Sequence, residues 1–194
     1  MISIEVNAKQ LTELREACGK AKKDFSKELA AAINHTVKKT KTNISKEIRS
    51  VVNVKKAAID KAISVKGKAT AQSLRGAVSL RKEARIGLQH FGGRQNKSGV
   101  SYKISKQGGR KSIAGAFMGA KPGQLAPKLY GGVFRRAGKT RLPIVKLYGV
   151  SPFGAYVKND LDEAEVVFIN KNLQNQMDRR IKLNVLRANG LVSN

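Results

Sequence analysis

The hydrophobic period changes twice along this 194-residue chain. Leu11, Leu14, Cys18, Ala21 and Phe25 recur at intervals of three and four, and Phe25, Leu29, Ile33, Val37, Ile44 and Ile48 continue the stripe. That spacing marks one face of an amphipathic helix. The middle then alternates: Leu74, Gly76, Val78 and Leu80, then Ile86 and Leu88, then Val100, Tyr102 and Ile104, with further strand candidates at 133–136 and 142–150. Period two marks strands with one buried and one wet face. After Asp160 the period lengthens again through Leu161, Ala164, Phe168, Leu173, Met177, Ile181 and Val185. The pattern predicts an α+β fold: an antiparallel β-sheet flanked by an N-terminal helical region and a long C-terminal helix. Three segments follow within a single structural domain: helical 1–66, a basic β-rich core 67–158 and a terminal helix 159–194.

Finer expectations come from local signals. Helices are expected over 8–48 and 160–188, and the sheet over 71–150. Gly19 weakens the first helix without ending its pattern. Lys41 interrupts the second stripe, so that the helix turns there or continues as an exposed arm. Asn53 is placed to cap a short helix over 54–63. Gly92–Gly99 has the composition of a flexible loop, Ala120–Gly132 that of an irregular crossing segment, and Gly108–Lys111 that of a basic turn. Asp160 and Glu163 have the spacing of a capping box, and Gly190 ends the helix. A helix over 160–188 spans about 43 Å. That is long for a small domain, so part of its face, carrying Phe168, Met177 and Ile181, is expected to contact a neighbouring subunit.

Charge narrows the choice of function. From Ala84 through Asn159 there are fifteen Lys and Arg and no Asp or Glu, within a chain of net charge +26. Soluble proteins normally intersperse both signs, because one-signed surfaces repel themselves. A stretch of this kind suits an external polyanion, and nucleic acid is the leading candidate. Arg81, Arg85, Arg94, Lys103, Arg110, Lys111, Arg135, Arg136, Lys139 and Arg141 are the expected phosphate contacts, since they flank strands and turns and guanidinium suits phosphate geometry. The bland alternative for each is a solvated surface cation. No helix-turn-helix spacing, zinc finger or aromatic stacking pair is evident, so contact is expected with the backbone and without sequence preference.

Other classes have less support. The lone Cys18 rules out an intramolecular disulfide and lies on an apolar stripe, which fits a small buried side chain. His35 and His90 lie far apart in sequence, and no nucleophile stands with a histidine and carboxylate at plausible spacing. Nuclease chemistry needs clustered carboxylates for metal ions, and outside the helical ends only Asp60 and Glu83 are available. Asp160, Asp162, Glu163 and Glu165 read as charge bias at a helix start. No enzyme, metal or cofactor is expected. No apolar run is long enough to span a membrane, and Met1–Gln10 lacks a signal-peptide core. A reducing cytoplasm, or a particle assembled there, is the expected setting.

Two short elements carry a family resemblance. Ala114-Gly115-Ala116-Phe117 closes a basic loop, and Val133-Phe134-Arg135-Arg136-Ala137-Gly138-Lys139-Thr140-Arg141-Leu142-Pro143-Ile144 follows. With Ala30-Ala31-Ala32-Ile33-Asn34 and the Val54-Lys55-Lys56 helix start before them, and the long helix after, the chain resembles the minor tail protein Z family of lambdoid long-tailed phages, the tail completion proteins. Only Gly115–Phe117 and Arg136–Ile144 are distinctive. The resemblance implies a non-enzymatic virion component at the head-proximal end of the tail, assembled in the host cytoplasm. It implies a homo-oligomeric ring, with a hexamer the expected form. Partners would be tail terminator, tail tube or head-tail connector proteins, with DNA backbone in the channel. In that setting Ala116-Phe117 is a packed turn and Arg141-Leu142-Pro143 a rigid strand entry. The rival reading is a sequence-nonspecific basic nucleic-acid-binding protein of ribosomal or nucleoid type.

Overall fold

The computed structural model describes residues 8–119 and 131–192. The fold is α+β. Its helices are α1 (Ala8–Lys20), α2 (Phe25–Val51), α3 (Lys56–Asp60), α4 (Pro152–Lys158) and α5 (Leu161–Ala188). Its strands are β1 (Ile63–Lys66), β2 (Ala77–Leu80), β3 (Arg94–Asn96), β4 (Gly99–Tyr102), β5 (Lys111–Ala114), β6 (Ala116–Met118), β7 (Val133–Arg136) and β8 (Ile144–Lys146), with a 3-10 helix at Leu88–Phe91. Among the described residues the β-structure is divided among three small sheets, β1-β2, β3-β4-β5 and β6-β7-β8, where one sheet was expected. Most of the expected linker Ala120–Gly132 lies outside the described residues.

The chain forms two compact units that cut across its linear order. Among the described residues, one comprises 8–44, 64–79 and 161–192; the other comprises 45–63, 80–119 and 131–160. The first unit thus joins the N-terminal helices to α5. Leu14, Cys18, Leu29, Ala32, Leu173 and Met177 form its buried core, with Leu11, Phe25, Ile33 and Ile181 packed against them. All but Ala32 are residues of the N-terminal and C-terminal helical stripes read from the sequence, so each stripe buries the other.

The first helix ends and the second begins between Lys20 and Phe25. Lys23 N–H donates to Cys18 O (2.9 Å) and Lys22 N–H to Gly19 O (3.2 Å). This is a Schellman turn, with Lys22 at φ 53° in the left-handed position that glycine normally takes. Asp24 then starts α2, its Oδ1 accepting from the backbone N–H groups of Ser26 (2.9 Å) and Lys27 (3.2 Å). From there α2 runs unbroken through Lys41 to Val51, with Thr40 and Ile44 buried on either side of that lysine. In the same unit the Asn34 amide exchanges two bonds with the backbone of Ala69 (2.8 and 2.9 Å). At the other end of the unit, Gly190 (φ 73°) closes α5 as expected, with Leu191 N–H donating to Leu186 O at 3.0 Å.

The remaining capping expectations fail. Asn53 does not cap α3, whose N-cap is Lys55 without a side-chain bond. Its amide instead donates to Lys103 O (3.1 Å), and its backbone N–H donates to Ile104 O (2.6 Å). Asp160 lies at φ 46°, outside the extended conformation an N-cap needs. Glu165 is buried, and its Oε2 accepts from Asn43 Nδ2 at 2.8 Å, so it does more than complement a helix dipole.

In the second unit the expected flexible loop Gly92–Gly99 is a hairpin. Arg94 pairs with Ser101, Gln95 with Val100 and Asn96 with Gly99, turning on Lys97 and Ser98. Gly99 is needed for packing, since an added Cβ would lie 2.0 Å from Ile113 O. Gly115 (φ 68°) is the one residue between β5 and β6, where the chain leaves one three-stranded sheet and enters the other. Gly115 alone is therefore the sheet-to-sheet turn, and Ala116-Phe117, expected as a packed turn, is paired strand in β6. Ala116 is buried, and Phe117 stacks on Phe134 with centroids 6.1 Å apart.

Candidate nucleic-acid interface

All ten expected phosphate contacts fall in the second unit, and all are exposed except the half-buried Lys103. Strand register explains much of this. In β3-β4-β5 Val100 is fully buried and Ile113 opposite it half-buried, whereas Arg94, paired with Ser101, and Ser112 are exposed. Arg110 joins them. Its Nη2 donates to Gly92 O (2.7 Å), Ser101 O (3.1 Å) and Ser101 Oγ (3.1 Å). Arg110 is thus a staple across the β4–β5 loop, with part of its hydrogen-bonding capacity already spent. Lys111 opens β5 opposite Tyr102.

The β7–β8 hairpin carries Arg135, Arg136, Lys139 and Arg141. Arg136 pairs with Ile144, and residues 135–143 are all exposed. Arg136 Nη1 donates to Arg141 O (2.6 Å), and its guanidinium lies 5.8 Å from the Phe117 ring centre. The base of the hairpin is anchored by Val133 (0% exposed) and Phe134. The β7–β8 element therefore projects a cationic end from a packed root.

A third group was only partly visible in sequence. Arg85 lies 5.9 Å and Lys146 5.8 Å from the Tyr148 ring centre, and Tyr148 is itself exposed. An open depression beside them is lined by Lys82, Glu83, Arg85, Tyr148, Gly149 and Ser151. Lys82 also lies over the Phe153 ring at 5.4 Å. The His90 imidazole is held below its ordinary pKa, first by burial and then by Lys55, Lys61 and Lys146. Lys146 and Tyr148 are the additions that sequence reading missed. Their spacing of two, on the line of β8, was the available signal. No described side-chain contact joins Arg81, Lys103 or Lys111 to another of the ten.

The expected subunit contacts on α5 need correction. Met177 is 0% exposed at the centre of the first unit's core, and Ile181 packs against that core. The stripe was read correctly as apolar, but it is covered by the chain's own α1 and α2 residues. Phe168 is partly buried. The large apolar side chains of α5 left exposed are instead Val167, Val185 and Leu186.

Among the described residues no three His, Cys, Asp or Glu side chains gather as a metal site, and no helix is long and apolar enough to cross a membrane. Comparison of the chain with family models, curated proteins and solved structures gave no match to any of the three.

Proposed function

We propose that this protein is a non-enzymatic structural component of a phage virion, a tail completion protein at the head-proximal end of the tail. In this reading it works as a homo-oligomeric ring beside tail terminator, tail tube or connector proteins, and its second unit contacts DNA backbone during head-tail joining. The virion assignment rests on the resemblance carried by Gly115–Phe117 and Arg136–Ile144. The DNA contact rests on one observation: nine of the ten candidate Lys and Arg are exposed, all ten lie in one compact unit, and all but Arg81 belong to the acid-free segment. Such a surface binds a polyphosphate by releasing condensed counterions, which makes affinity steeply salt-dependent and indifferent to sequence.

Two measurements test the two halves separately. Light scattering after size exclusion, with electron microscopy of tails that carry the tagged protein, is expected to give a ring and a label at the head-proximal end. A monomer that never enters particles overturns the virion assignment and favours the nucleoid-type reading. Duplex affinity across a salt series tests the DNA interface. Replacing Arg135, Arg136 and Arg141 together by alanine is expected to flatten the log–log slope by about 0.9 for each phosphate that is no longer neutralised. Coincident slopes for wild type and variant remove the hairpin from the DNA interface.

A further inference from the structure

The β7–β8 loop is closed on itself but leaves a large apolar side chain uncovered. Ala137 N–H donates to Pro143 O (3.0 Å), Arg136 Nη1 to Arg141 O (2.6 Å), and the Thr140 hydroxyl to Leu142 O. These bonds tie the loop's two sides together. Leu142 is nevertheless 66% exposed. Around it in sequence stand Arg135, Arg136, Lys139 and Arg141, with no acid between Ala84 and Asn159. A single exposed leucine is ordinary on a protein surface. Leu142 differs in sitting on a preorganised loop, at the end of the β7–β8 hairpin of a three-stranded sheet and between cations in sequence.

That combination has a specific use on duplex DNA. A projecting loop can reach into a groove while cations beside it meet the flanking phosphates, and an apolar side chain at its end can enter a base step. Insertion partly unstacks the step and bends the duplex, which lets more cationic surface reach phosphate. A lipid surface shares the preference for cations plus an apolar group. Membrane insertion, however, draws on a broad apolar face, and this loop offers one leucine beside a proline.

We propose that the β7–β8 hairpin enters a groove of duplex DNA and that Leu142 acts as a wedge at a base step. This deepens the proposed DNA contact and rests on it. The cations supply most of the affinity and carry no sequence information. The wedge adds bending and a mild preference for steps that unstack easily, such as TA.

The experiment uses full-length protein and an end-labelled duplex of about two helical turns. Energy transfer between the ends reports bending, and 2-aminopurine at a central TA step reports unstacking. Wild type is expected to bring the ends closer and brighten the 2-aminopurine. Leu142→Ala is expected to keep the salt slope and bind within about threefold of wild type, because phosphate contacts dominate affinity, yet to lose both optical signals. Leu142→Phe is expected to retain them. The leucine is exposed, so Leu142→Ala should leave the far-ultraviolet circular dichroism spectrum unchanged. Wild-type binding without bending or 2-aminopurine change overturns the wedge and leaves backbone contact standing, as do signals that persist in Leu142→Ala. Failure of wild type to bind duplex overturns both. Leu142-dependent binding to vesicles rich in anionic lipid, with none to duplex, assigns the loop to a membrane and also overturns the proposal.

Discussion

Replacing Met177 by alanine should destabilise the first unit through poorer internal packing. Met177 has no exposed surface and sits among Leu14, Cys18, Leu29, Ala32 and Leu173, all nearly or fully buried. The substitution removes three heavy atoms from an apolar environment, worth about 2 kcal/mol of transfer free energy. Helical walls relax only in part, so a residual cavity of roughly 40–60 Å³ adds about 1 kcal/mol. The expected cost is about 3 kcal/mol, a large share of the stability of a small domain. For a unit of this size that lowers the melting temperature by about 12–20 °C. Circular dichroism at the helix band is the natural assay, because α1, α5 and most of α2 lie in this unit. Val167→Ala is the companion measurement. Val167 is 68% exposed on the same helix, and its truncation should stay within about 0.5 kcal/mol. If Met177→Ala melts within a few degrees of wild type while oligomer formation or tail incorporation fails, Met177 serves a subunit interface and its place at the centre of the core is wrong. The burial of Met177 also decides how Met177→Asp would read. A carboxylate forced among these residues unfolds the unit, so failed assembly in Met177→Asp says nothing about an interface.

The two changes of period identified the α+β class because periods of 3.6 and 2 are direct consequences of helix and strand geometry. What the sequence concealed were the features where an unusual residue takes a familiar role. The break between α1 and α2 uses Lys22 in the left-handed position, so the glycine that normally announces such a turn is absent there. Gly19, the glycine that is present, lies inside α1. In the segment Gly92–Gly99 the error ran the other way. Composition suggested a loose linker, but Gly92 (φ 66°) follows a 3-10 helix and Gly99 packs against a neighbouring strand. Glycine content reports backbone freedom, and tight hairpins use that freedom as linkers do. On α5 the apolar stripe was legible, but its partner was not, since a periodic face looks the same whether its cover comes from the same chain or another. The cationic segment was visible as a run of sequence. Its division into an Arg94–Arg110 face, a projecting β7–β8 hairpin and a cluster around Tyr148 depends on strand register and on contacts between distant residues. Those are tertiary facts.

Further outcomes can be read in simple assays. Cys18 is buried and its thiol pKa is raised, chiefly by burial with Glu28 and Asp24 adding to it, so it should resist a thiol reagent at neutral pH until the unit unfolds. Burial first and nearby cations second lower the pKa of both His35 and His90. Below about pH 6.5 the unfolded chain therefore takes up protons that the folded chain refuses. Their contribution to stability is fully present above that pH and lost as pH falls toward the lowered folded values, and a paired His35→Gln/His90→Gln variant should melt with a flatter pH dependence in that window. The last expectation separates a staple from a ligand contact. Arg110 and Arg135 are both exposed cations in the same unit, and a charge count treats them alike. Arg110 already donates to Gly92 O and Ser101 O, so Arg110→Ala should cost about 1 kcal/mol of folding stability by removing charge-assisted bonds at an exposed site. Arg135 pairs across β7 with Ala116 and Val145 through backbone register alone, so Arg135→Ala should leave the melting temperature within about 2 °C. On duplex DNA the order reverses. Arg135→Ala should flatten the salt slope by about 0.9, and Arg110→Ala by less, because a guanidinium committed to two carbonyls has fewer donors left for phosphate. Equal slopes with equal melting temperatures would mean that neither the hydrogen bonds of Arg110 nor the projection of the hairpin distinguishes the two arginines. The division of this surface into supporting and contacting cations would then fail.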